Sequence, residues 1–392
     1  MTPGPSEPEP EVLAALALPI LPHYGAKWKE LYDDTTSKLR KIFRTTKNDV
    51  ILVPVPGQLA VEMAVANLVP TGQKAFVCVN GYFSEMLVSM IEYWGGSPVR
   101  ISKPWGTAVT AEDVKAVLDG HADLTDKALF VVHNETSTGV KNPVEDILRV
   151  CEKRGMIGVL DSISAFGGMD IRVDEWKADY AIGYASKALG GVFGIQPIAL
   201  SDRIWEISRR NSKSIHTRYL NLNVWEEAFE EMRSWGHPHP SSMPTSLVVG
   251  LRKATELVLQ EGLEARYQRH REAAAFAREQ LRALQLQMYP PDEIASDTIT
   301  AVRAAPEWEA KLRSELVSRF DIMVSGGLGR LQGRLIRIGH MGTSAKKTAI
   351  ATTVAAMRTI LEDPASGFRP AEVVQVAAAR SGSLAANPKP TK

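Results

Sequence analysis

The chain has 392 residues, and its 46 Lys and Arg nearly balance its 45 Asp and Glu. That balance gives no basic field that would attract a polyanion, so we expect no nucleic-acid partner. Only two cysteines occur, each inside an apolar stretch, and no apolar run approaches the roughly 18 residues of a membrane-spanning helix. The N-terminus also lacks the basic start and apolar core of a signal peptide. We therefore expect a cytoplasmic protein without a disulfide framework, a bound metal or a membrane contact.

Apolar segments alternate with amphipathic segments through the first part of the chain. Buried strands are predicted for the apolar runs 50–55, 74–79, 128–132 and 155–160. Helices are predicted for the amphipathic segments 60–68, 86–93, 111–118 and 143–154. This alternation predicts a mostly parallel sheet with helices on both of its faces.

The second part of the chain changes in character. A long helical stretch is predicted for 246–283, rich in Leu, Ala, Glu and Arg, and strands are predicted for 298–303 and 334–338. The last residues are rich in Ala, Ser, Pro and Lys and have no core to join. The resulting division is an N-terminal arm (1–20), a large domain (21–250), a small domain (251–366) and a disordered tail (367–392).

A lysine and an aspartate stand near the ends of two apolar strands. Asp161 closes one strand, and Lys187 follows a short strand and precedes a glycine-rich turn. Taken singly, such residues are typical of a helix cap and a solvated loop. A buried lysine amine, however, forms a Schiff base with an aldehyde cofactor, and a carboxylate at a pyridine nitrogen keeps that ring protonated and able to accept electrons. Together the two residues indicate a pyridoxal phosphate site.

Short motifs spread over most of the chain support this interpretation. They are, in chain order, Thr2-Pro-Gly-Pro-Ser6, Pro56-Gly-Gln-Leu-Ala-Val-Glu62, Asn80-Gly-Tyr-Phe83, His133-Asn-Glu-Thr-Ser-Thr-Gly-Val140, Asp161-Ser-Ile-Ser-Ala-Phe-Gly-Gly168, Ser186-Lys187 and Arg337-Ile-Gly-His-Met-Gly342. Over residues 2–362 the chain resembles the class V aminotransferases of fold type I. Within them it is similar to the alanine, serine and aspartate:glyoxylate aminotransferase group.

The resemblance implies an α/β fold with a large domain, built on a mostly parallel seven-stranded sheet, and a small C-terminal α+β domain. It implies pyridoxal 5'-phosphate as cofactor and a ping-pong mechanism, with Lys187 as Schiff-base lysine and general base and Asp161 at the ring nitrogen. The expected donor is serine, alanine or aspartate, and the expected acceptor is the 2-oxo acid glyoxylate or pyruvate. A homodimer with shared active sites is also implied.

The cofactor phosphate is expected at the start of the helix that follows the first strand. Helix N-termini present free N–H donors to anions, and Gly57, Gln58 and Leu59 occupy that position. Pro56 and Leu59 depart from the Ser-Gly-Thr-Gly type of sequence that the family usually has there. Ser186, beside the lysine, could also donate. By the resemblance, the partner subunit adds a hydroxyl or ring from the 237–244 segment, with Ser242 as the first candidate and His239 as the next.

Other residues are assigned to the cofactor ring and to the substrate. Phe83 is expected to stack on the pyridine ring. Thr136 or Ser137 would bond the ring's 3-oxygen, and we prefer Thr136. Arg337 matches the family's arginine for the substrate carboxylate, which its planar fork would bind through two hydrogen bonds. Gly4 would bring the N-terminal backbone against the substrate.

Several alternatives remain open from the sequence. Pyridoxamine:pyruvate and 2-aminoethylphosphonate-type aminotransferases share parts of the motif set, and a weakened phosphate loop suits the first of them. A same-fold lyase or desulfurase would need a reactive cysteine in a mobile loop, whereas Cys78 and Cys151 fall in a predicted strand and helix. A binding protein that has lost the chemistry would not need Lys187, Asp161 and Arg337 together.

Overall fold

The computed structural model describes residues 1–366. The strands are β1 (Asp49–Val53), β2 (Lys74–Val79), β3 (Ser97–Ser102), β4 (Ala128–Val132), β5 (Asn134–Glu135), β6 (Val140–Lys141), β7 (Ile157–Asp161), β8 (Tyr180–Ile182), β9 (Gln196–Leu200), β10 (Ile299–Arg303), β11 (Ser325–Gly326) and β12 (Leu335–Gly339). The helices are α1 (Pro10–Leu16), α2 (Ala26–Phe43), α3 (Gly57–Leu68), α4 (Tyr82–Tyr93), α5 (Ala111–Leu118), α6 (Val144–Lys153), α7 (Val173–Trp176), α8 (Asp202–Asn211), α9 (Leu222–Met232), α10 (Thr245–Glu261), α11 (Leu263–Ala283), α12 (Pro306–Phe320) and α13 (Lys347–Glu362).

A seven-stranded sheet forms the centre of the larger part of the molecule, in the order β1-β9-β8-β7-β4-β2-β3. Strands β3, β2, β4, β7 and β8 pair in parallel, whereas β9 is antiparallel to both of its neighbours. Buried apolar clusters cover both faces of this sheet, which explains why its strands, apart from the edge strand β3, are largely continuous apolar runs. The predicted mostly parallel seven-stranded sheet is therefore confirmed.

A second, antiparallel sheet has the order β10-β12-β11 and packs with α11, α12 and α13 around its own apolar cluster. The predicted helix at 246–283 is wrong as a single element, because Gly262 adopts φ +85° and separates α10 from α11. Helix α10 packs on α1 and α2, whereas α11 packs on α13. The boundary predicted between residues 250 and 251 thus falls inside α10, and the domain division stays a prediction. The predicted disordered tail lies outside the described residues.

The carboxyl ends of the parallel strands meet along one edge of the large sheet, where ligands of open α/β sheets bind. Asp161 ends β7 at this edge, and the turn with Lys187 follows β8. The N-terminal segment also reaches this region, because the Ser6 N–H donates to the Ser186 carbonyl at 2.9 Å. At its other end, the Gly339 N–H donates to the Met1 carbonyl at 2.9 Å. The segment therefore runs between the lysine turn and strand β12 of the small sheet.

Three negative findings apply to the described chain. None of its helices combines the length and apolar character that crossing a membrane requires. Within residues 1–366, no three His, Cys, Asp or Glu side chains come together as a possible metal site. Cys78 in β2 and Cys151 in α6 are both buried and unpaired in this part of the chain.

Candidate active site

Lys187 lies in the turn after β8, and the N-terminal segment covers its amine. The Lys187 Nζ donates to the Pro3 carbonyl at 2.8 Å. A side chain at Gly4 would place its Cβ 2.2 Å from Nζ, and Gly4 has φ +115°, so glycine is required for this close approach. Burial and, to a smaller extent, the nearby charge of Arg337 lower the pKa of Lys187 to about 8, although Asp161 opposes the shift. The lowered pKa increases the neutral fraction of the amine near neutral pH, and the neutral form is the one that acts as nucleophile or base.

Asp161 is held at the last position of β7, between the parallel neighbours β4 and β8. Its Oδ1 accepts from the Ile163 N–H at 3.0 Å. Burial is the main cause that raises its pKa, to about 6, and the charge of Glu135 adds to the rise while Lys187 opposes it. Within residues 1–366 this carboxylate forms no ion pair, although the charge of Lys187 acts on it from a distance. A protonated pyridine nitrogen is a group that would stabilise its ionised form.

Arg337 stands in the middle of β12 and is only 6% exposed. Its Nε donates to the Gly326 carbonyl at 2.7 Å, and its Nη1 donates to the Thr136 carbonyl at 3.2 Å. Burial lowers the pKa of Arg337 to about 10, and Glu135 opposes this shift only in part. These two carbonyls orient the guanidinium and leave several of its five N–H donors for a ligand. A carboxylate is the ligand that such a fork binds best.

The Glu135 carboxylate is held by helix α4 and not by Arg337. It accepts from the Ser84 N–H at 3.0 Å and from the Ser137 hydroxyl at 2.5 Å. This long-range cap explains why α4 starts at Tyr82, earlier than predicted, and it places the half-buried Phe83 in the first helical turn. The Ser137 hydroxyl also accepts from the Tyr82 N–H at 2.8 Å. Because Ser137 is engaged in this cap, Thr136 is the better candidate for a cofactor contact.

The start of α3 is where the phosphate is expected, and one of its three predicted residues has a backbone N–H that is already engaged within the chain. The buried Gly57 begins the helix and Gln58 is exposed, whereas the Leu59 N–H already donates to the Pro56 carbonyl at 3.0 Å. A Cβ at Gly57 would lie 2.8 Å from the Tyr184 ring. Leu59 can therefore offer an apolar contact, and the free N–H donors come from the residues before it.

Tyr184 is a candidate that sequence reasoning missed. It lies between β8 and Lys187, and its phenol faces the Gly57 backbone and the hydroxyl of Ser186. The Ser186 hydroxyl is buried and has no partner in hydrogen-bonding geometry within residues 1–366. A buried hydroxyl without a partner is costly unless a ligand supplies one. The sequence signal that could have identified Tyr184 is its hydroxyl, which stands three residues before Lys187.

His239 and Ser242 lie apart from this group in the chain. The His239 Nε2 accepts from the Trp28 indole N–H at 3.0 Å, and its Nδ1 lies 2.5 Å from the Ser241 carbonyl, so both ring nitrogens are engaged. Burial lowers the pKa of His239 to about 3, which keeps the ring neutral. Ser242 is exposed. Ser242 is thus free to meet a second subunit, whereas the His239 ring would first have to leave its present partners.

Several of the remaining predicted residues come together around Lys187. The charges of Asp161 and Arg337 both act on the pKa of Lys187, the Thr136 carbonyl accepts from Arg337, and the Lys187 side chain leaves no room for a Cβ at Gly4. Ser186 and Gly57 lie on the Tyr184 side of the lysine. This cluster supplies an amine with a lowered pKa, a carboxylate, a guanidinium and an anion cradle. Pyridoxal phosphate fits this donor set, because each of its polar groups finds a matching residue.

Comparison with known proteins identifies the family of the chain. The sequence profile "Aminotransferase class-V" matches residues 14–334. An uncharacterized aminotransferase of Methanocaldococcus jannaschii is 34% identical over 90% of each chain, and the pyridoxamine–pyruvate transaminase of Mesorhizobium japonicum is 30% identical over 88% of this chain and 87% of its own. The crystal structure of ureidoglycine–glyoxylate aminotransferase from Bacillus subtilis superimposes with a TM-score of 0.87 at 26% identity, over 96% of both chains. The chain therefore belongs to the class V aminotransferases, pyridoxal phosphate-dependent enzymes of fold type I.

Proposed function

We propose that this aminotransferase moves an amino group from a small amino acid, namely serine, alanine or aspartate, to glyoxylate or pyruvate by a ping-pong mechanism. The observation that carries the proposal is the pairing of Lys187, whose pKa is lowered to about 8, with the buried guanidinium of Arg337 in one site. The amine can move a proton at a substrate carbon while the guanidinium holds that substrate's carboxylate.

Each residue of the site has a distinct part in the proposal. When bound, pyridoxal phosphate supplies an aldehyde that takes up the amino group and a ring that accepts electrons. Asp161 would hold the proton on the ring nitrogen, Phe83 would stack on the ring, and Thr136 would bond its 3-oxygen. The backbone of Gly57 and Gln58 would hold the phosphate.

Two further hydroxyls and a second subunit complete the phosphate site in this proposal. Ser186 and Tyr184 would donate from the lysine side, in place of the hydroxyls that Pro56 and Ala185 cannot provide. Ser242 of a second copy of the chain would donate from across an interface, with His239 as the alternative. We therefore propose a homodimer, and we keep the cytoplasm as its proposed location.

The N-terminal segment supports a small donor. The Pro3 carbonyl lies 2.8 Å from the Lys187 amine, and backbone of Gly4 fills the space beside it. A substrate that reaches the amine must share this space with the segment, so a short side chain is favoured. The same segment excludes water from the amine.

A donor panel tests the proposal. Purified enzyme with added cofactor should transfer amino groups from serine, alanine or aspartate to glyoxylate or pyruvate, and double-reciprocal plots at several acceptor concentrations should be parallel. Transfer from none of these donors would contradict the proposed substrate class. Intersecting plots would contradict the ping-pong order.

Arg337→Lys should raise the KM for carboxylate substrates by at least about tenfold, because a point charge cannot replace a two-pronged hydrogen bond worth roughly 1.5–3 kcal/mol. The spectrum of the bound cofactor should stay unchanged. The matched control is Arg334→Lys, since Arg334 is exposed near the same strand. An unchanged KM in Arg337→Lys would remove Arg337 from carboxylate binding.

A pyridoxamine:pyruvate transaminase is the second candidate. It is favoured by the phosphate loop, where the Leu59 N–H is already bonded and Ala185 offers no hydroxyl. In that case pyridoxamine and pyruvate should react without added cofactor, and Arg337→Lys should impair only the keto-acid half-reaction. Measuring both half-reactions separately in this variant therefore separates the two candidates.

The burial of both cysteines argues against a desulfurase. Burial raises the pKa of the Cys78 and Cys151 thiols well above their ordinary values, so neither is a thiolate near neutral pH. Both also lie inside regular elements and not in a loop near Lys187.

A further inference from the structure

A buried arginine on α11 contacts the turn that carries the lysine. Arg266 is 5% exposed and lies in the first helical turn of α11. Its Nη2 donates to the carbonyl of Ala188 at 2.8 Å and to that of Leu189 at 3.2 Å. Its Nε donates to the Gly167 carbonyl at 2.6 Å. One guanidinium thus bonds both the turn that follows Lys187 and the loop that follows Asp161.

These two loops are in direct contact at the arginine. A Cβ at Gly168 would lie 2.5 Å from the Ala188 Cβ, so the two backbones already pack as closely as side chains allow. The donors of Arg266 fan out in one plane, and a planar fork fixes the relative position of the carbonyls that it binds. The separation of the Lys187 turn from the Asp161 loop is therefore set by this side chain as well as by the sheet.

The Glu261 carboxylate connects Arg266 to the segment that follows β12, the strand of Arg337. Glu261 accepts from Arg266 Nη1 at 2.7 Å and from Arg269 Nε at 2.6 Å. Arg269 Nη1 then donates to the carbonyls of Gly342 at 3.0 Å and Ala345 at 2.9 Å. Gly342 follows β12, the strand of Arg337. Glu261 thus links the lysine turn to the segment that continues from the substrate arginine.

The neutral His270 ring adds a second connection between Arg266 and Gly342. The His270 Nε2 accepts from the Gly342 N–H at 3.1 Å, and its Nδ1 lies 2.8 Å from the Arg266 carbonyl. Burial and the charge of Arg266 lower the pKa of His270 well below its ordinary value. The ring therefore accepts at one nitrogen and donates at the other, and both bonds have the right polarity.

We propose that Arg266 is a positioning residue that sets the Lys187 amine relative to Asp161, and that Glu261 couples this position to the strand of Arg337 through Arg269. The inference rests on the proposed roles of Lys187, Asp161 and Arg337. The inference predicts different kinetic effects for the two arginines. Arg266 bonds the turn after Lys187, so its substitution should act on kcat, whereas Arg269 bonds the segment after β12, so its substitution should act on KM.

The test uses the holoenzyme in five variants. Arg266→Lys should lower kcat by about tenfold to a hundredfold with little change in KM, since a misplacement of this kind acts on the reacting atoms. The pH at which the absorbance of the bound cofactor titrates should shift by about one unit. Arg269→Lys should instead raise the KM for the carboxylate substrate. Glu261→Gln should both lower kcat and raise this KM. Arg271→Lys is the control, because Arg271 is an exposed arginine of the same helix.

The outcomes separate this inference from the function on which it rests. If Arg266→Lys lowers only the melting temperature and leaves the cofactor titration and kcat unchanged, Arg266 is structural and the inference is wrong. Equal effects of Arg266→Lys and Arg269→Lys on both constants would contradict the predicted division of effects. A change in only one of the two constants in Glu261→Gln would contradict the coupling through Glu261. If instead the wild-type protein shows no transamination, the proposed function fails before any variant is compared. Arg266→Met adds a more severe change, and Arg266→Lys decides the question if the methionine variant does not fold.

Discussion

Lys187→Ala should lower the turnover number by roughly 10⁴-fold or more, because it removes the proposed covalent attachment point and the proposed general base. No other described amine can replace it easily, since the N-terminal segment covers this position and the Lys187 Nζ bonds the Pro3 carbonyl. The measurement is the rate of keto-acid formation at saturating substrate, with cofactor added in excess. Lys213→Ala, at an exposed lysine, is the control and should match the wild type. Substantial turnover in Lys187→Ala would remove this lysine from the mechanism.

Asp161→Asn should keep the cofactor bound and lower the rate by at least roughly 100-fold. Asparagine has the same shape and can still accept from the Ile163 N–H, so the loop should keep its geometry. It cannot hold a proton on the ring nitrogen by charge. Cofactor content by absorbance and rate by single turnover should therefore separate binding from chemistry. A fully active Asn variant would exclude Asp161 from the reaction.

Asp161→Asn should lower the rate, but it should raise the stability of the cofactor-free protein at neutral pH. Burial raises the pKa of Asp161 from 3.8 to about 6, so the folded chain binds this proton more tightly than the unfolded chain. Its contribution to stability is then greatest below pH 3.8 and is lost as the pH rises through about 6. Asp161→Asn should therefore melt at a higher temperature than the wild type at pH 7.5, and the difference should shrink toward pH 4. Adding the cofactor should reverse the order, since its ring nitrogen supplies the missing cation.

The apolar runs of the sequence predicted four strands of the large sheet, and the seven-stranded count came from the family resemblance; strands β3 and β9 were not predicted. Runs such as 74–79 and 128–132 match β2 and β4 at both ends, because strands buried on both faces are continuous apolar segments. Asp161 was placed at the end of its strand for the same reason. The family motifs then located Lys187 and Arg337, whose proximity in space depends on the fold.

Features that depend on distant side chains could not be predicted. Local periodicity contains no sign that Glu135 caps α4, or that Arg266 bonds the turn after Lys187. Tyr184 was missed because a tyrosine after a strand is typical of an apolar core. The interruption at Gly262 was missed because a single glycine inside a helical pattern is tolerated in many helices. Here its positive φ ends α10.

His239 shows the limit of transferring roles by motif. Its position in the 237–244 segment suggested a phosphate contact from a partner subunit, but its ring is bonded to Trp28 and Ser241 within the chain. The direction of the His239 ring depends on its packing against Trp28 and Tyr32 of α2, which the motif does not predict. The partner contact of either residue stays a prediction.

The central claim is that Lys187 forms the covalent link to the cofactor, and borohydride reduction followed by peptide mapping tests it most directly. The holoenzyme should lose its visible absorbance on reduction, and mass spectrometry should place one phosphopyridoxyl group on the peptide that contains Lys187. Denatured holoenzyme, treated in the same way, controls for random labelling of exposed lysines. Modification of a different lysine in the native enzyme, or of none after reconstitution with pyridoxal phosphate, would contradict the assignment of the active site.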